Sequence, residues 1–433
     1  MKKDRINIIT LGCSKNVVDS EHLAALFPTK SFQLFHDGNK ESDIVVINTC
    51  GFIGDAKEES IDMILTYAEA RKKGDIKKLF VMGCLSQRYK KLLQEEIHEV
   101  DDFFGVDQLD DVAAAILKQE PVKIPQHYRR SLSTPGHYAY LKISEGCDRS
   151  CSFCAIPLIR GKHISVPQQN LIKEAKLLAK KGVKELILIA QDLTYYGIDL
   201  TGKREIGNLV ESLSRLEGIE WIRIQYTYPA GFPMDLVEQM INNPKVCRYI
   251  DMPLQHINNQ LLKSMKRGLD GQKTRELVSS LRKKIPDLTF RTAFIVGYPG
   301  ETESMFEELC DFVKEMRFDR LGVFTYSAEE DTAAFELEDE ISEAIKQERH
   351  DRLMEIQQSI SLELNNEKIA SVQKVLIDRL ENGYYIGRTQ YDSPEVDNEV
   401  LVDSAKSGQL MPGNFYTMKI VHADFFDLYA ELI

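Results

Sequence analysis

Three apolar runs near the start of the chain, INIITLGC, DIVVINTC and KLFVMGC, end alike: a small or polar residue, then cysteine. Each is a short, near-continuous stretch of apolar and β-branched residues, as in a strand buried on both faces of a parallel sheet. Helical patterns follow, as over 55–71 and 87–96. Residues 1–125 are therefore expected to form a small doubly wound α/β domain with a parallel sheet. Such sheets take ligands in the crevice beyond the carboxyl ends of their strands. Cys13, Cys50 and Cys84 all fall on that rim, so thiols more than thirty residues apart in sequence are expected as spatial neighbours. The bland reading is three small buried residues, because free Cys packs well in cores.

A tighter group, Cys147-x3-Cys151-x2-Cys154, follows the strand-like run YLKISEGC. Thiolates at this spacing can wrap one metal centre. Only three are present, whereas structural zinc is normally closed by four protein ligands and ferredoxin-type clusters use four cysteines. Three ligands on a cubane cluster would leave one iron open to a small molecule; three packing or zinc cysteines are the alternative. Eight cysteines in 433 residues without an export signal fit a reducing cytoplasm, where disulfides are rare. No apolar run reaches the roughly 18 residues that a membrane span needs. Cys247 and Cys310 have no partner at ligand spacing and read as core thiols.

After a proline-bearing stretch read as a linker over 126–136, strand and helix patterns alternate on a longer beat. Candidate strands are 138–144, 185–190, 221–226, 249–254, 289–296 and 320–326. Six βα units over 137–370 suit a partial (β/α)6 barrel with its working face at the strand C-termini. Leu353, Ile356, Ile360 and Leu364 mark one face of a long trailing helix. From 371 to 433 five short β-rich runs separated by turns suggest a small antiparallel β-barrel of the OB type.

GCDRSCSFC, placed after the strand that opens a βα barrel, resembles the radical S-adenosylmethionine (SAM) enzymes. With the three strand-end cysteines and the terminal β domain, the whole chain resembles the methylthiotransferases. That resemblance implies two [4Fe-4S] clusters and SAM as cofactors. It assigns Cys147, Cys151 and Cys154 to the cluster that binds SAM, making them the catalytic and metal-binding set, and Cys13, Cys50 and Cys84 to an auxiliary cluster. It implies a terminal TRAM domain, and an electron donor such as flavodoxin or ferredoxin. It also places SAM contacts at Gln191, in AQDLTYYG, and at Gly297 and Gly300, in FIVGYPGET, where glycine lets backbone approach a ligand. An ordinary βα turn would read the same way. Phe153, inside the motif, is either a cover for the cluster or a local core residue. Arg160-Gly161 resembles the family's RG element, which often continues to Ser-Arg, whereas here Ser165 is followed by Val166.

The family has two main substrate classes, a modified adenosine of transfer RNA and an aspartyl β-carbon of ribosomal protein twelve of the small subunit. The chain carries 55 Lys and Arg against 67 Asp and Glu, a net charge of −12. Its last 63 residues carry five basic and ten acidic side chains. A module gripping RNA phosphates should be basic, whereas an acidic one suits a basic protein. The segments YLKISEGC, DMPLQHI and YDSPEVD also resemble the ribosomal-protein branch. The transfer-RNA enzyme is the alternative, and a non-catalytic, metal-stabilised binding protein is a third reading.

Overall fold

A computed structural model describes residues 3–38, 41–120 and 128–433. In the first unit, strands β1 (Asp4–Thr10), β2 (Phe32–His36), β3 (Ile44–Thr49), β4 (Lys78–Gly83) and β5 (Asp102–Phe103) form an all-parallel sheet of order β2-β1-β3-β4-β5. Alternate residues serve opposite faces. Ile6, Ile8, Val46, Phe80 and Met82 pack against helices α1 (Ser14–Ala24) and α4 (Leu109–Leu117). Ile9, Val45, Ile47, Leu79 and Val81 pack against α2 (Gly54–Lys73) and α3 (Cys84–Glu96). Strands β1, β3 and β4 lie where the sequence places them. The half-buried edge strand β2 and the two-residue β5 carry no comparable apolar run and are not legible from pattern alone. The strand order reverses between β1 and β3, the position where doubly wound sheets open their ligand crevice.

The expected linker begins outside the described residues, as do Pro121 and Pro125. Its described part contains no helix or strand. It is nonetheless docked: Arg130 is buried, with its guanidinium on Glu21 of α1 and on Glu174.

The second unit opens with β6 (Tyr138–Lys142). A small antiparallel pair, β7 (Ser144–Glu145) and β8 (Ile164–Ser165), brackets the cysteine loop. Strands β9 (Glu185–Ile189), β10 (Trp221–Ile224), β11 (Val246–Asp251), β12 (Thr289–Val296) and β13 (Arg320–Thr325) continue the sheet in chain order, all parallel. This is the partial six-stranded barrel the sequence implies. Its core is one large aliphatic and aromatic cluster that includes Cys310, while Cys247 packs beside Trp221 and Tyr249. The long helix spans Glu343–Asn366.

The last unit closes as a barrel of order β14 (Val372–Glu381), β15 (Tyr384–Arg388), β16 (Val400–Asp403), β18 (Leu428–Leu432), β17 (Phe415–Ala423). Four of its pairings are antiparallel, but β16 and β18 run parallel. An odd number of strands cannot alternate direction all the way round a closed ring, so one neighbouring pair has to be parallel.

The segment joining β15 to β16 enters the large barrel at the N-terminal ends of its strands. Arg320 at the start of β13 donates to Asp392 Oδ1 at 2.5 Å, and Arg291 of β12 donates to Asp397 Oδ1 at 3.2 Å. Tyr249 Oη donates to Asp397 Oδ2 at 2.6 Å, and Tyr138 Oη to Glu395 at 3.0 Å. Glu185, at the start of β9, accepts from Arg223 and from Arg388, each at 2.8 Å. Asp378 accepts from Arg388 and lies 2.7 Å from His137 Nε2. Asp378, Asp392 and Asp397 are therefore taken up inside the protein, while Glu395 stays exposed although it accepts from Tyr138. Part of the acidic balance of the last unit is thus a docking device, which weakens it as a sign of a basic substrate.

Glu185 and Arg223 are fully buried. Glu185→Gln leaves guanidinium charge uncompensated there, and breaking such a pair costs about 3–5 kcal/mol. Urea denaturation should show a loss of that size. Glu220→Gln, which removes only the exposed ion pair with Lys374, should cost about 1 kcal/mol or less.

Candidate active site

Cys13 caps the start of α1, Cys50 directly follows β3, and Cys84 is the first residue of α3. The three βα junctions are drawn together by small residues. Gly12 has φ +87°, and a Cβ on it would lie 2.7 Å from Cys50 Cβ and 2.9 Å from Cys50 Sγ. The buried Asn16 staples the ends of β1 and β3, its Nδ2 donating to Leu11 O at 2.8 Å and Thr49 O at 3.0 Å. Burial pushes the Cys84 thiol up to about 12 and raises that of Cys50. The Arg160 guanidinium opposes both shifts, while the neighbouring thiols reinforce them. Cys13 reinforces the shift at both Cys50 and Cys84, so the three sulfurs share one neighbourhood.

Cys147, Cys151 and Cys154 lie on the loop between β7 and the helix Ile156–Arg160. The loop supplies donors to its own sulfurs: the Arg149 N–H donates to Cys147 Sγ at 3.4 Å. Arg267 Nη1 donates to Cys151 Sγ at 3.2 Å. Burial pushes Cys147 up to about 11 and Cys154 up to about 12. The Arg149 and Arg267 guanidinium groups both stack on the Tyr228 ring, 4.0 and 4.5 Å from its centroid. Arg149 was available in the sequence, inside CDRSCSFC; Tyr228 and Arg267 had no local signal. Phe153 packs against Leu261, Met265, Tyr298 and Tyr326, a local core role.

The two cysteine groups meet across one junction. Cys84 packs with Ala155 and Ile159, which directly follow the second group. Arg160, buried on the same short helix, donates to Asn16 Oδ1 at 2.6 Å, to Asp19 at 3.3 Å, and to both oxygens of Glu145 at 3.0 Å. This is the contact made by the RG arginine. Lys142 completes the network on Asp19 and Glu145. Burial alone would raise the Glu145 carboxyl, but Lys142 and Arg160 outweigh it and hold the group well below the usual carboxylate range.

Among the described residues no group of three His, Cys, Asp or Glu is arranged as a single-ion site. One ion with metal–sulfur bonds of about 2.3 Å draws its ligands into a tight tetrahedron. A multi-iron cluster, with each cysteine on a different iron, needs a wider triangle. The surroundings suit such a group: donors and cations face the sulfurs, and no fourth cysteine closes either set. Gln191 Oε1, Arg149 Nη2 and Arg267 Nε are buried without a hydrogen-bond partner among the described residues, so polar capacity beside the loop is unused. Gln191 Nε2 donates to Glu145 at 2.6 Å. A Cβ on Gly297 would lie 2.3 Å from Lys346 Cγ, so the close approach found there is to the chain's own lysine stem; Gly300 is open. Glu301 organises this turn, accepting from Gly297 N at 2.6 Å and Arg349 at 2.7 Å.

Residues 141–313 match the Radical SAM superfamily, residues 5–105 match the uncharacterized protein family UPF0004, and residues 369–433 match the TRAM domain. The chain is 55% identical over 431 residues to the ribosomal protein uS12 methylthiotransferase RimO of Christiangramia forsetii, covering 100% of this chain and 95% of that protein. Identity to the protein of the same name from Cytophaga hutchinsonii is 53%, over 100% and 98% of the two chains. In fold it is similar to the radical S-adenosylmethionine methyltransferase TsrM from Kitasatospora setae, with a TM-score of 0.56 and 13% identity over 91% of this chain and 82% of that one.

In the metal-free protein, the half-buried Cys13 should be alkylated by iodoacetamide at pH 8 before the buried Cys50 and Cys84. Mass spectrometry of the labelled peptides reads the order; early labelling of Cys84 would contradict this geometry.

Proposed function

The chain belongs to the ribosomal protein uS12 methylthiotransferase family, and from that premise we propose that it methylthiolates the β-carbon of an aspartyl residue in that ribosomal protein. The observation that carries the reading is the meeting of two three-cysteine groups across one domain junction in a chain with full-length identity to those relatives. In this reading Cys147, Cys151 and Cys154 hold the [4Fe-4S] cluster that binds SAM, and Cys13, Cys50 and Cys84 hold the auxiliary [4Fe-4S] cluster. Gln191, Gly297 and Gly300 are the proposed SAM contacts. When bound, these groups supply a deoxyadenosyl radical and a sulfur atom to be methylated, which is the chemistry an unactivated C–H bond requires.

The chain's own residues hold and tune these groups. Metal binding needs thiolates, so the burial that raises the free thiols must be offset when a cluster is loaded. Arg160 supplies positive charge at the first trio, and Arg149 and Arg267 supply donors and charge at the second. Arg160 also bridges α1 to Glu145, so the same guanidinium that faces the first trio keeps the two loops in register. No helix among the described residues is long and apolar enough to cross a membrane. We place the enzyme in the cytoplasm, with an electron donor of the flavodoxin or ferredoxin type. The relatives' shared activity disfavours the transfer-RNA alternative.

Mass spectrometry of uS12 and nucleoside analysis of transfer RNA from cells with and without the gene test the assignment. Loss of the methylthio group only from transfer RNA would refute it. In the reconstituted enzyme, Cys147→Ala should abolish reductive SAM cleavage. Cys13→Ala should leave cleavage measurable as 5′-deoxyadenosine but stop sulfur insertion, and continued insertion would make the auxiliary assignment wrong.

A further inference from the structure

One cation at the junction, on a largely buried lysine, has no acid. Lys15, in the first turn of α1, is 7% exposed, and its Nζ stands 3.0 Å from the centroid of the Tyr226 ring. Among the described residues that ammonium has neither a carboxylate within ion-pair reach nor a hydrogen-bond acceptor. The other buried lysine that borders the site is different: Lys346 contacts Asp339 and Glu343. So is the partly buried Lys142, which contacts Asp19 and Glu145. The stem of Lys15 is buried while its ammonium, resting on a ring face, has no acid to neutralise it. No acid of the described residues pairs with it, so it is open to an anionic group brought to the junction.

The ring that seats it is held with care. Tyr226 lies just past β10, on the strand-end face of the barrel, and has φ +62°, a strained value for a residue with a side chain. Its N–H donates to Asp251 Oδ2 at 3.0 Å, its carbonyl accepts from Leu193 N at 3.0 Å, and Thr227 N–H donates to Asp251 O at 2.8 Å. These bonds on both sides keep the backbone in its strained form and aim the ring across the junction at α1. At Cys50 and Cys84 Arg160 supplies positive charge that opposes the effect of burial.

We infer that Lys15, seated on Tyr226, binds the side-chain carboxylate of the substrate aspartate and so sets the choice of an acidic protein side chain over a nucleobase. The inference rests on the proposed function and adds the group that recognises the target. Capturing the carboxylate anchors the atom bonded to the β-carbon, which leaves that carbon little freedom beside the two cysteine loops. A charge-assisted contact in a buried site strengthens binding by about tenfold or more.

The test uses the reconstituted enzyme and two fluorescent peptides carrying the uS12 target loop, one with the aspartate and one with asparagine in its place. Anisotropy should show the wild type preferring the aspartate peptide by about tenfold or more. Lys15→Met should weaken that peptide to the level of the asparagine one without changing the latter, and Lys15→Arg should restore part of the preference. Iron content and melting temperature report whether each variant remains folded and loaded. Equal binding of the two peptides by the wild type, or an undiminished preference in Lys15→Met, would overturn the inference. So would loss of iron in Lys15→Met, which would give the ammonium to the cluster. Methylthiolation of intact uS12 by the wild type is measured alongside. If it persists while the peptides bind equally, only the role of Lys15 falls; if it is absent, the functional reading falls and this inference with it.

Discussion

The Arg160 guanidinium is the contact on which the rest of the site depends. It belongs to the short helix that follows the second cysteine group, yet its partners Asn16 and Asp19 lie on the helix that follows Cys13. Glu145, on the barrel side, receives two of its bonds. Buried ion networks seldom add much net stability over apolar packing, but they fix geometry, because every misaligned arrangement strands a charge. Here that geometry is the relative placement of two sulfur-bearing loops from separate sheets. The same residue biases the first group of thiols towards the charged form that metal ligation requires.

A second ionic junction lies at the opposite end of the barrel strands. A six-stranded sheet that does not close leaves polar side chains at its strand N-termini, among them Arg223, Arg291, Arg320 and Glu185. The segment between β15 and β16 enters with Asp392, Glu395 and Asp397 and satisfies them. Trp221 and Phe415 add an edge-to-face contact with ring centroids 4.7 Å apart. The small barrel is thus part of the large one's floor. That explains why Asp378, Asp392 and Asp397 lie inside the protein rather than on a surface that a basic partner could reach.

The two junctions divide the labour. The strand N-terminal end is closed by paired charges. The strand C-terminal end carries the cysteines, the strained Tyr226, and the unspent polar atoms of Gln191, Arg149 and Arg267. Strain and unmet bonding capacity gather on the face where parallel sheets place their chemistry.

Read alone, the sequence determined the three β-rich or βα units, the strands that end in Cys13, Cys50 and Cys84, and the close spacing of Cys147, Cys151 and Cys154 on one loop. These rest on local patterning: apolar runs, helical periodicity, turn residues and short ligand spacing all act within a few residues of one another. The edge strand β2 and the stub β5 escaped that reading because their place comes from neighbours rather than from their own composition. Only the tertiary structure decided that Arg160 joins the two cysteine groups, that Gly297 makes room for Lys346, that three of the last unit's acids are internal, and that Lys15 faces Tyr226 without an acid. Each of these joins residues far apart in the chain. Whether a charge is paired, and therefore what it can still bind, depends on which side chains the fold carries to within a few ångströms of it.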